Sequence, residues 1–333
     1  MSTGNFDFFN DAVFKIIYSF HMPLFMLLSG YVSYWGCNKK LSSIIIKRLR
    51  GIGIPLLVWG TFDYIVHSIS TKTLVFSVRA WGHSIIGIWF LWAVLCGSIL
   101  VAVIHKLPVC AFVKYLIMIL GTGVFVVIPG GTLVAFVYPY FVIGYAMNEF
   151  KLLENVVYKK LIQPLCGIIW IILLIFYKKV HYIYISGLTW KVKELGLFGQ
   201  ITVDMYRYII GLVGCIAVIG FMKWLYGILS QKEISFDIIE RFGRHTLEIY
   251  ILQRIVLEGF FAKAYGHVVN YMGQNILAQN QLMFDVCFTL VCALIIGILV
   301  LKISEIISKH SYLSVCLFGR GKSLCVRIVV SER

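Results

Sequence analysis

Long apolar stretches recur along the chain and constrain its fold more than any other feature. A helix of roughly 20 apolar residues spans a hydrocarbon core about 30 Å thick. Each stretch is apolar on every side, without the alternation of a membrane barrel strand. The sequence therefore predicts an all-α fold, a polytopic transmembrane helical bundle of about nine helices. The stretches cover residues 14–36, 49–70, 81–104, 110–129, 132–149, 161–177, 205–229, 246–262 and 284–308.

The composition places most of the chain in lipid. Hydrophobic residues make up 60% of the 333 residues and charged residues 14%, whereas a soluble domain keeps roughly a quarter of its residues charged. The net charge of +15 suggests nucleic acid at first sight. However, Lys and Arg concentrate in the loops of one side, which is the positive-inside pattern. We therefore expect a lipid bilayer and no nucleic acid as a partner, with the N-terminus outside and the C-terminus in the cytoplasm.

The chain shows no internal repeat and no linker to a soluble domain. The sequence therefore predicts one transmembrane domain over residues 1–309, followed by a basic cytoplasmic tail over residues 310–333. The nine cysteines are scattered, without a Cys-x-x-Cys pair or a His cluster at zinc spacing. Buried thiols that act as small hydrophobic groups account for them, so no metal site is expected.

His21 is an ionisable residue inside an apolar stretch, where a charge costs roughly 2.5–3.5 kcal/mol on insertion scales. Pro23 follows it and removes a backbone donor, and Ser29-Gly30 allows close helix packing further along. Histidine can transfer a proton near neutral pH without a large pKa shift. His21 is thus either an acid–base group facing a substrate or a buried imidazole bonded to a neighbouring helix.

Three other groups of polar residues lie at or near membrane depth, and each has two possible interpretations. Asp63 and His67 are four residues apart, as in a catalytic dyad, but the nearby serines favour a wet membrane surface. The group Glu248, Arg254 and Glu258 is either an internal ion pair or the wall of a polar cavity. The basic run Lys47, Arg48 and Arg50 can hold phosphates, although topology and anionic lipids also demand such residues.

Four segments of the chain form a recognisable series, in the order "HMPLFMLLSGY" from His21, "KRLRGIGIPLLVW" from Lys47, "IWFLWAVL" from Ile88 and "FGRHTLEIYILQ" from Phe242. The first is similar to the "HMPLFF-x-x-SGY" signature of the acyltransferase 3 family, and the other three resemble segments of that family in the family's own order. The resemblance is strongest to the branch with fucose O-acetylase-like enzymes. Together the four segments extend over most of residues 19–253.

The resemblance implies a multipass enzyme of the bacterial cytoplasmic membrane. Such enzymes move an acyl group, usually acetyl from acetyl-CoA, to a hydroxyl of a sugar or surface polysaccharide. It implies that His21 is catalytic and that the cations of the basic run bind the phosphates of CoA. It also implies that His245 and Glu248 lie near the same cavity. Together with the polar residues at membrane depth, this predicts a substrate cavity with seven residues, which are Ser29, Asp63, Trp89, His245, Glu248, Arg254 and Glu258.

Family members normally begin with a further helix that ends near a His, the expected general base. In this sequence the signature starts within the first stretch, and Gln253 stands where relatives often carry His. Three explanations are open: the start lies further upstream, the gene is truncated, or His21 acts as the base. Two other functions also stay open, namely a non-catalytic membrane scaffold and a transporter for a lipid-linked sugar.

Overall fold

The computed structural model describes most of the chain and shows it to be α-helical. The described residues are 9, 11–72, 76–128, 130–159, 161–188, 192–231, 236–253 and 290–320. Within these ranges the secondary structure consists of helices and turns, without a strand. The all-α prediction is therefore confirmed.

The helices, in chain order, are numbered α1 to α15. Those before residue 150 are α1 (Ala12–Ser33), α2 (Leu41–Arg48), α3 (Ile54–Ser70), α4 (Val78–Gly87), α5 (Trp89–His105), α6 (Ala111–Leu120), α7 (Thr122–Val127) and α8 (Thr132–Glu149). A π-helix, Leu49–Gly53, joins α2 to α3. The later helices are α9 (Ile162–Ile175), α10 (Ile183–Ser186), α11 (Val192–Gln231), α12 (Asp237–Arg244), α13 (Thr246–Gln253), α14 (Leu290–Ser308) and α15 (Ser311–Phe318).

The chain divides into two compact units. Unit 1 comprises residues 1–44 and 92–235, and unit 2 comprises residues 45–91 and 236–333. Unit 1 therefore contains α1, most of α5 and α6 to α11. Unit 2 contains the π-helix, α3, α4 and α12 to α15.

Helix α1 begins because Asp11 caps it. The Asp11 carboxylate accepts a hydrogen bond from the Phe14 amide at 2.6 Å, which satisfies one free N–H of the first turn and suits the helix dipole. Pro23 lies in the interior of the helix and is buried. Because proline lacks an N–H, the carbonyl of Ser19 loses its partner one turn back, and the helix is locally weakened beside His21.

Glycines bring α1 and α8 into close contact within unit 1. A Cβ on Gly30 would overlap the carbonyl oxygen of Phe141, and a Cβ on Gly144 would overlap that of Leu27. Leu27 and Phe141 are themselves fully buried. Small residues are the usual means of helix association in lipid, where no hydrophobic effect drives apolar faces together.

Replacing Gly144 by alanine should destabilise unit 1 by about 1–3 kcal/mol, since the new methyl group forces the backbones of α1 and α8 apart. Gly167→Ala is the matched control, because Gly167 lies in α9 with open space around its Cα. That change should be neutral or stabilising by the ordinary helix preference for alanine. Thermal unfolding in detergent measures both, and equal midpoints would contradict the proposed close packing.

Helix α11 packs against α1, α8 and α9 in unit 1. A Cβ on Gly211 would meet the hydroxyl of Tyr140, and one on Gly214 would meet the indole of Trp170. The Trp170 indole N–H also donates to the Ser19 hydroxyl at 3.1 Å, which joins α9 to α1. These contacts hold α11 beside the part of α1 that carries His21.

In unit 2, α3 is held against α4 by one close approach and two hydrogen bonds. Gly60 has no room for a Cβ because Ile85 lies against it. The Trp81 indole donates to the Thr61 hydroxyl at 3.0 Å, and the Ser77 amide donates to the Tyr64 hydroxyl at 2.9 Å. Hydrogen bonds and an apolar contact therefore both hold α3 against α4.

Among the described residues, three helical segments are long and apolar enough to cross a membrane: Ala12–Gly36, Leu195–Gln231 and Leu290–Ser308. The bent pair α4 and α5 makes a fourth if it is one span. The chain is therefore a membrane protein with an all-α bundle, while the number of about nine helices stays a prediction. Many apolar side chains, such as Val127 and Ile175, are exposed as expected for a lipid-facing surface.

The structure corrects two predicted boundaries. The stretch 81–104 is not one helix, because Ile88 leaves the helical conformation (φ −83°, ψ 52°) between α4 and α5. The stretch 205–229 starts too late, because α11 is helical from Val192 with a break at Gly196, whose φ is +68°. Hydropathy identifies an apolar run but does not indicate a change of backbone torsion inside it.

Candidate functional site

His21 lies on α1 and is fixed in one tautomer by its own helix. Its Nδ1 is 2.9 Å from the carbonyl oxygen of Ile17, one turn back. A carbonyl only accepts hydrogen bonds, so Nδ1 carries the proton in this contact. In a neutral imidazole this leaves Nε2 as the acceptor, which is the form required of a general base.

Aromatic rings surround this part of α1. The ring of Tyr18 lies 5.0 Å from the His21 imidazole, edge to face. Tyr18 also contacts the rings of Phe14, Tyr182 and Tyr184. The His21 side chain is thus partly buried next to a wall of rings from α1 and from the segment of residues 178–188, and this wall restricts the orientation of its imidazole.

Ser29 lies eight residues after His21 on α1, about 12 Å further along the helix axis. Its carbonyl oxygen accepts a hydrogen bond from the Ser33 hydroxyl at 2.7 Å. It is partly buried next to Gly30, at the close approach of α1 and α8. His21 and Ser29 therefore lie on the same helix but about two turns apart.

A buried arginine that the sequence pattern did not single out holds the segment 178–188 beside α11. Arg207 and Asp204 form an ion pair at 2.8 Å, and their side chains are only 2% and 8% exposed. The guanidinium also donates to the backbone oxygens of Val180, His181 and Gly187 and to the Ser186 hydroxyl. These contacts, the "Arg207 clamp", fix the segment that carries Tyr182. In the sequence, only the i,i+3 spacing of the opposite charges of Asp204 and Arg207 could have indicated this ion pair.

His181 is held neutral within the same segment. Its Nδ1 accepts a hydrogen bond from the Lys178 amide at 2.8 Å, and its ring stacks on Tyr206. Burial, together with the charges of Arg207 and Lys178, lowers the pKa of His181 to about 4. The folded chain thus resists protonation at a position where the unfolded chain accepts a proton.

The stability of the protein should fall as the pH drops from about 6.5 to about 4. The unfolded state binds the His181 proton at the ordinary pKa of 6.5, while the folded state does so only at about 4. The stabilisation is therefore complete above pH 6.5. His181→Asn keeps an acceptor for the Lys178 amide but does not titrate, so it should flatten this slope. Unfolding midpoints measured across this range test the prediction, and parallel curves for both proteins would contradict it.

The predicted phosphate-binding residues lie in unit 2 at the start of the α3 region. Lys47 and Arg48 form the last turn of α2, and Arg50 lies in the π-helix. The side chains of Lys47 and Arg50 are exposed, whereas Arg48 is partly buried. π-helices often mark functional positions, because the wider turn changes the direction of the side chains that follow.

Asp63 and Trp89 lie elsewhere in unit 2. Asp63 is partly buried on α3, and His67, one turn later, is exposed. Trp89 opens α5 just after the break at Ile88, and its ring is 6.0 Å from that of Phe90. Phe90 in turn contacts the ring of Tyr250 on α13 at 5.3 Å.

The structure brings His245 and Glu248 together within unit 2. Glu248 is fully buried, and its carboxylate is 3.7 Å from the Nδ1 of His245. His245 also contacts the Ser304 hydroxyl at 2.9 Å, and Arg320 lies 2.8 Å from the Glu248 carboxylate. The remaining predicted cavity residues, Arg254 and Glu258, lie outside the described residues.

Comparison with known proteins decides the family. The model of the acyltransferase domain of the acyltransferase 3 family matches residues 2–302 of this chain. The chain belongs to the acyltransferase 3 family. The apolar helices of the fold agree with membership of this family.

A curated protein also matches part of the chain. The nodulation protein NolL of Mesorhizobium japonicum is 33% identical over 106 residues, which are 30% of this chain and 28% of that protein. The match therefore spans less than a third of the relative's length. No solved structure matches the chain significantly.

Proposed function

We propose that this acyltransferase moves an acetyl group from acetyl-CoA to a sugar hydroxyl of a cell-surface polysaccharide or glycolipid precursor. The family match supports acyl transfer. The likeness of the His21–Tyr31 segment to fucose O-acetylase-like enzymes supports acetyl-CoA as donor and a sugar as acceptor. By the same resemblance and by its charge distribution, the chain is proposed to reside in the bacterial cytoplasmic membrane with its C-terminus in the cytoplasm.

The observation that carries this proposal is the tautomer of His21. With Nδ1–H donated to the Ile17 carbonyl, Nε2 can take the proton of the attacking sugar hydroxyl. The hydroxyl oxygen then forms a bond to the thioester carbonyl carbon, and the carbon–sulfur bond breaks. The CoA thiolate leaves and takes this proton from Nε2, which gives free CoA and returns His21 to its neutral form.

Lys47, Arg48 and Arg50 are proposed to bind the phosphates of the donor. Three cations within four residues supply charge-assisted hydrogen bonds, and arginine adds a bidentate geometry that suits phosphate. Ser29 of unit 1 and Asp63, Trp89, His245 and Glu248 of unit 2 are each proposed to contact the donor or the acceptor. All but Asp63 lie in segments that resemble the family, and Asp63 is proposed because it is an ionisable residue at or near membrane depth.

Acetylation of the surface glycan tests the function directly. Cells with the gene and with a deletion are compared by NMR of O-acetyl groups on their surface polysaccharide. Purified protein in nanodiscs is then titrated with acetyl-CoA, and binding is measured. We expect O-acetyl signals only with the gene, together with saturable binding. Unchanged glycan and absent acetyl-CoA binding would instead favour a non-catalytic membrane scaffold.

A further inference from the structure

Helix α15 and the residues after it lie beyond the part of the chain that the family model matches. The helix ends at Gly319, which adopts a left-handed conformation with φ +66°. The Gly319 amide bonds the Val315 carbonyl at 2.9 Å, and the Arg320 amide bonds that of Ser314 at 3.1 Å. Such a left-handed cap reverses the chain sharply. We name residues 317–320 the α15 turn.

The α15 turn lies directly against the π-helix and α3. A Cβ on Gly319 would overlap the backbone of Gly51, so the missing side chain of Gly319 lets the two backbone segments come into van der Waals contact. The Trp59 indole N–H donates to the Leu317 carbonyl at 2.7 Å. Gly51 follows Arg50 directly in the sequence. The α15 turn therefore packs on the backbone that carries the proposed phosphate-binding residues.

An ion pair between a buried carboxylate and a partly exposed arginine holds the α15 turn in this position. The Nε of Arg320 is 2.8 Å from the carboxylate of Glu248, which is fully buried on α13. A terminal nitrogen of Arg320 donates to the backbone carbonyl of Arg244. Removing Arg320 would leave the carboxylate of Glu248 buried without this cation, so the pair favours one position of the turn.

We propose that Glu248 and Arg320 are positioning residues for the acyl donor. Their ion pair fixes the α15 turn, the turn fixes the π-helix through Gly51, and the π-helix sets the position of Arg50 and its basic neighbours. This inference rests on the proposed use of acyl-CoA by Lys47, Arg48 and Arg50. It assigns to α15, beyond the matched family domain, a part in binding the phosphates of the donor.

The test compares two donors that differ in their phosphates. Acetyl-CoA carries three phosphate groups, whereas S-acetylpantetheine has the same thioester and none. In full-length protein in nanodiscs, Arg320→Gln should raise the KM for acetyl-CoA about tenfold while kcat changes less than about twofold. The KM for S-acetylpantetheine should stay as in wild type. A general loss of structure would affect both donors alike.

Further variants sharpen the result. Glu248→Gln should raise the same KM, and Arg320→Lys should restore part of the affinity because it keeps the charge. Glu240→Gln is the matched control, since it removes an exposed ion pair with Arg244 on the neighbouring helix α12. It should leave both KM values unchanged.

The outcomes separate the inference from the proposed function. If wild-type protein neither binds nor uses acetyl-CoA, the proposed function fails and the inference fails with it. If wild-type protein is active but Arg320→Gln leaves the KM for acetyl-CoA unchanged, the inference alone is overturned. The inference is also overturned if Arg320→Gln raises the KM for both donors equally. It is likewise overturned if the substitution changes only how activity depends on phosphatidylglycerol, an anionic lipid, added to the nanodiscs.

Discussion

Replacing His21 by asparagine should lower acetyl transfer by about 10²–10⁴-fold, the usual contribution of a positioned general base. Asparagine places an amide near the position of Nδ1 and can still donate to the Ile17 carbonyl, but it has no group in place of Nε2. The substitution therefore removes the proposed base and keeps the local hydrogen bond. The loss should appear in kcat, measured as CoA release from acetyl-CoA in nanodiscs.

His83→Asn is the matched control for this experiment. His83 is exposed on α4 in unit 2 and has no proposed role in the reaction. Its replacement should leave kcat unchanged, and both variants should unfold at the temperature of the wild type. Full activity in His21→Asn would show that the imidazole is only a buried packing group bonded to its own helix.

The sequence predicted the fold class and many helix boundaries because apolar runs and their polar ends carry that information. The stretch 132–149 coincides with α8, since Gly130-Gly131 and Lys151 interrupt the apolar run on both sides. The break at Ile88 could not be predicted, because it is a change of backbone torsion between apolar residues.

The candidate site was predictable where one residue is unusual by itself. His21 stands out as an ionisable side chain in an apolar stretch, and the structure adds the tautomer. The pair of Glu248 and Arg320 was not predictable, because the partners are distant in sequence and only the packing of α13 and α15 joins them. The contacts of Arg207 were not predictable either, because only the fold brings the segment 178–188 against α11.

Breaking the Arg207 clamp should destabilise the protein by about 3–5 kcal/mol, among the largest single effects expected for this chain. Arg207→Met removes a guanidinium that holds Asp204 and four oxygens of the segment 178–188. The Asp204 carboxylate is then left buried without its cation, although it keeps the amide of Gln200 at 3.2 Å. Detergent unfolding measures the loss.

Arg244→Met is the matched control, because Arg244 forms an ion pair of similar length with Glu240 but is 70% exposed. Exposed pairs contribute about 0–1 kcal/mol, so this variant should unfold close to the wild type. Combining Arg207→Met with Asp204→Leu should recover part of the loss, since no buried charge then remains. The recovery should be incomplete, because the carbonyls of Val180, His181 and Gly187 still lack their donor. Full recovery would mean that the unpaired charge of Asp204 accounts for the whole loss of stability, and that the hydrogen bonds from Arg207 to the segment 178–188 contribute nothing to it.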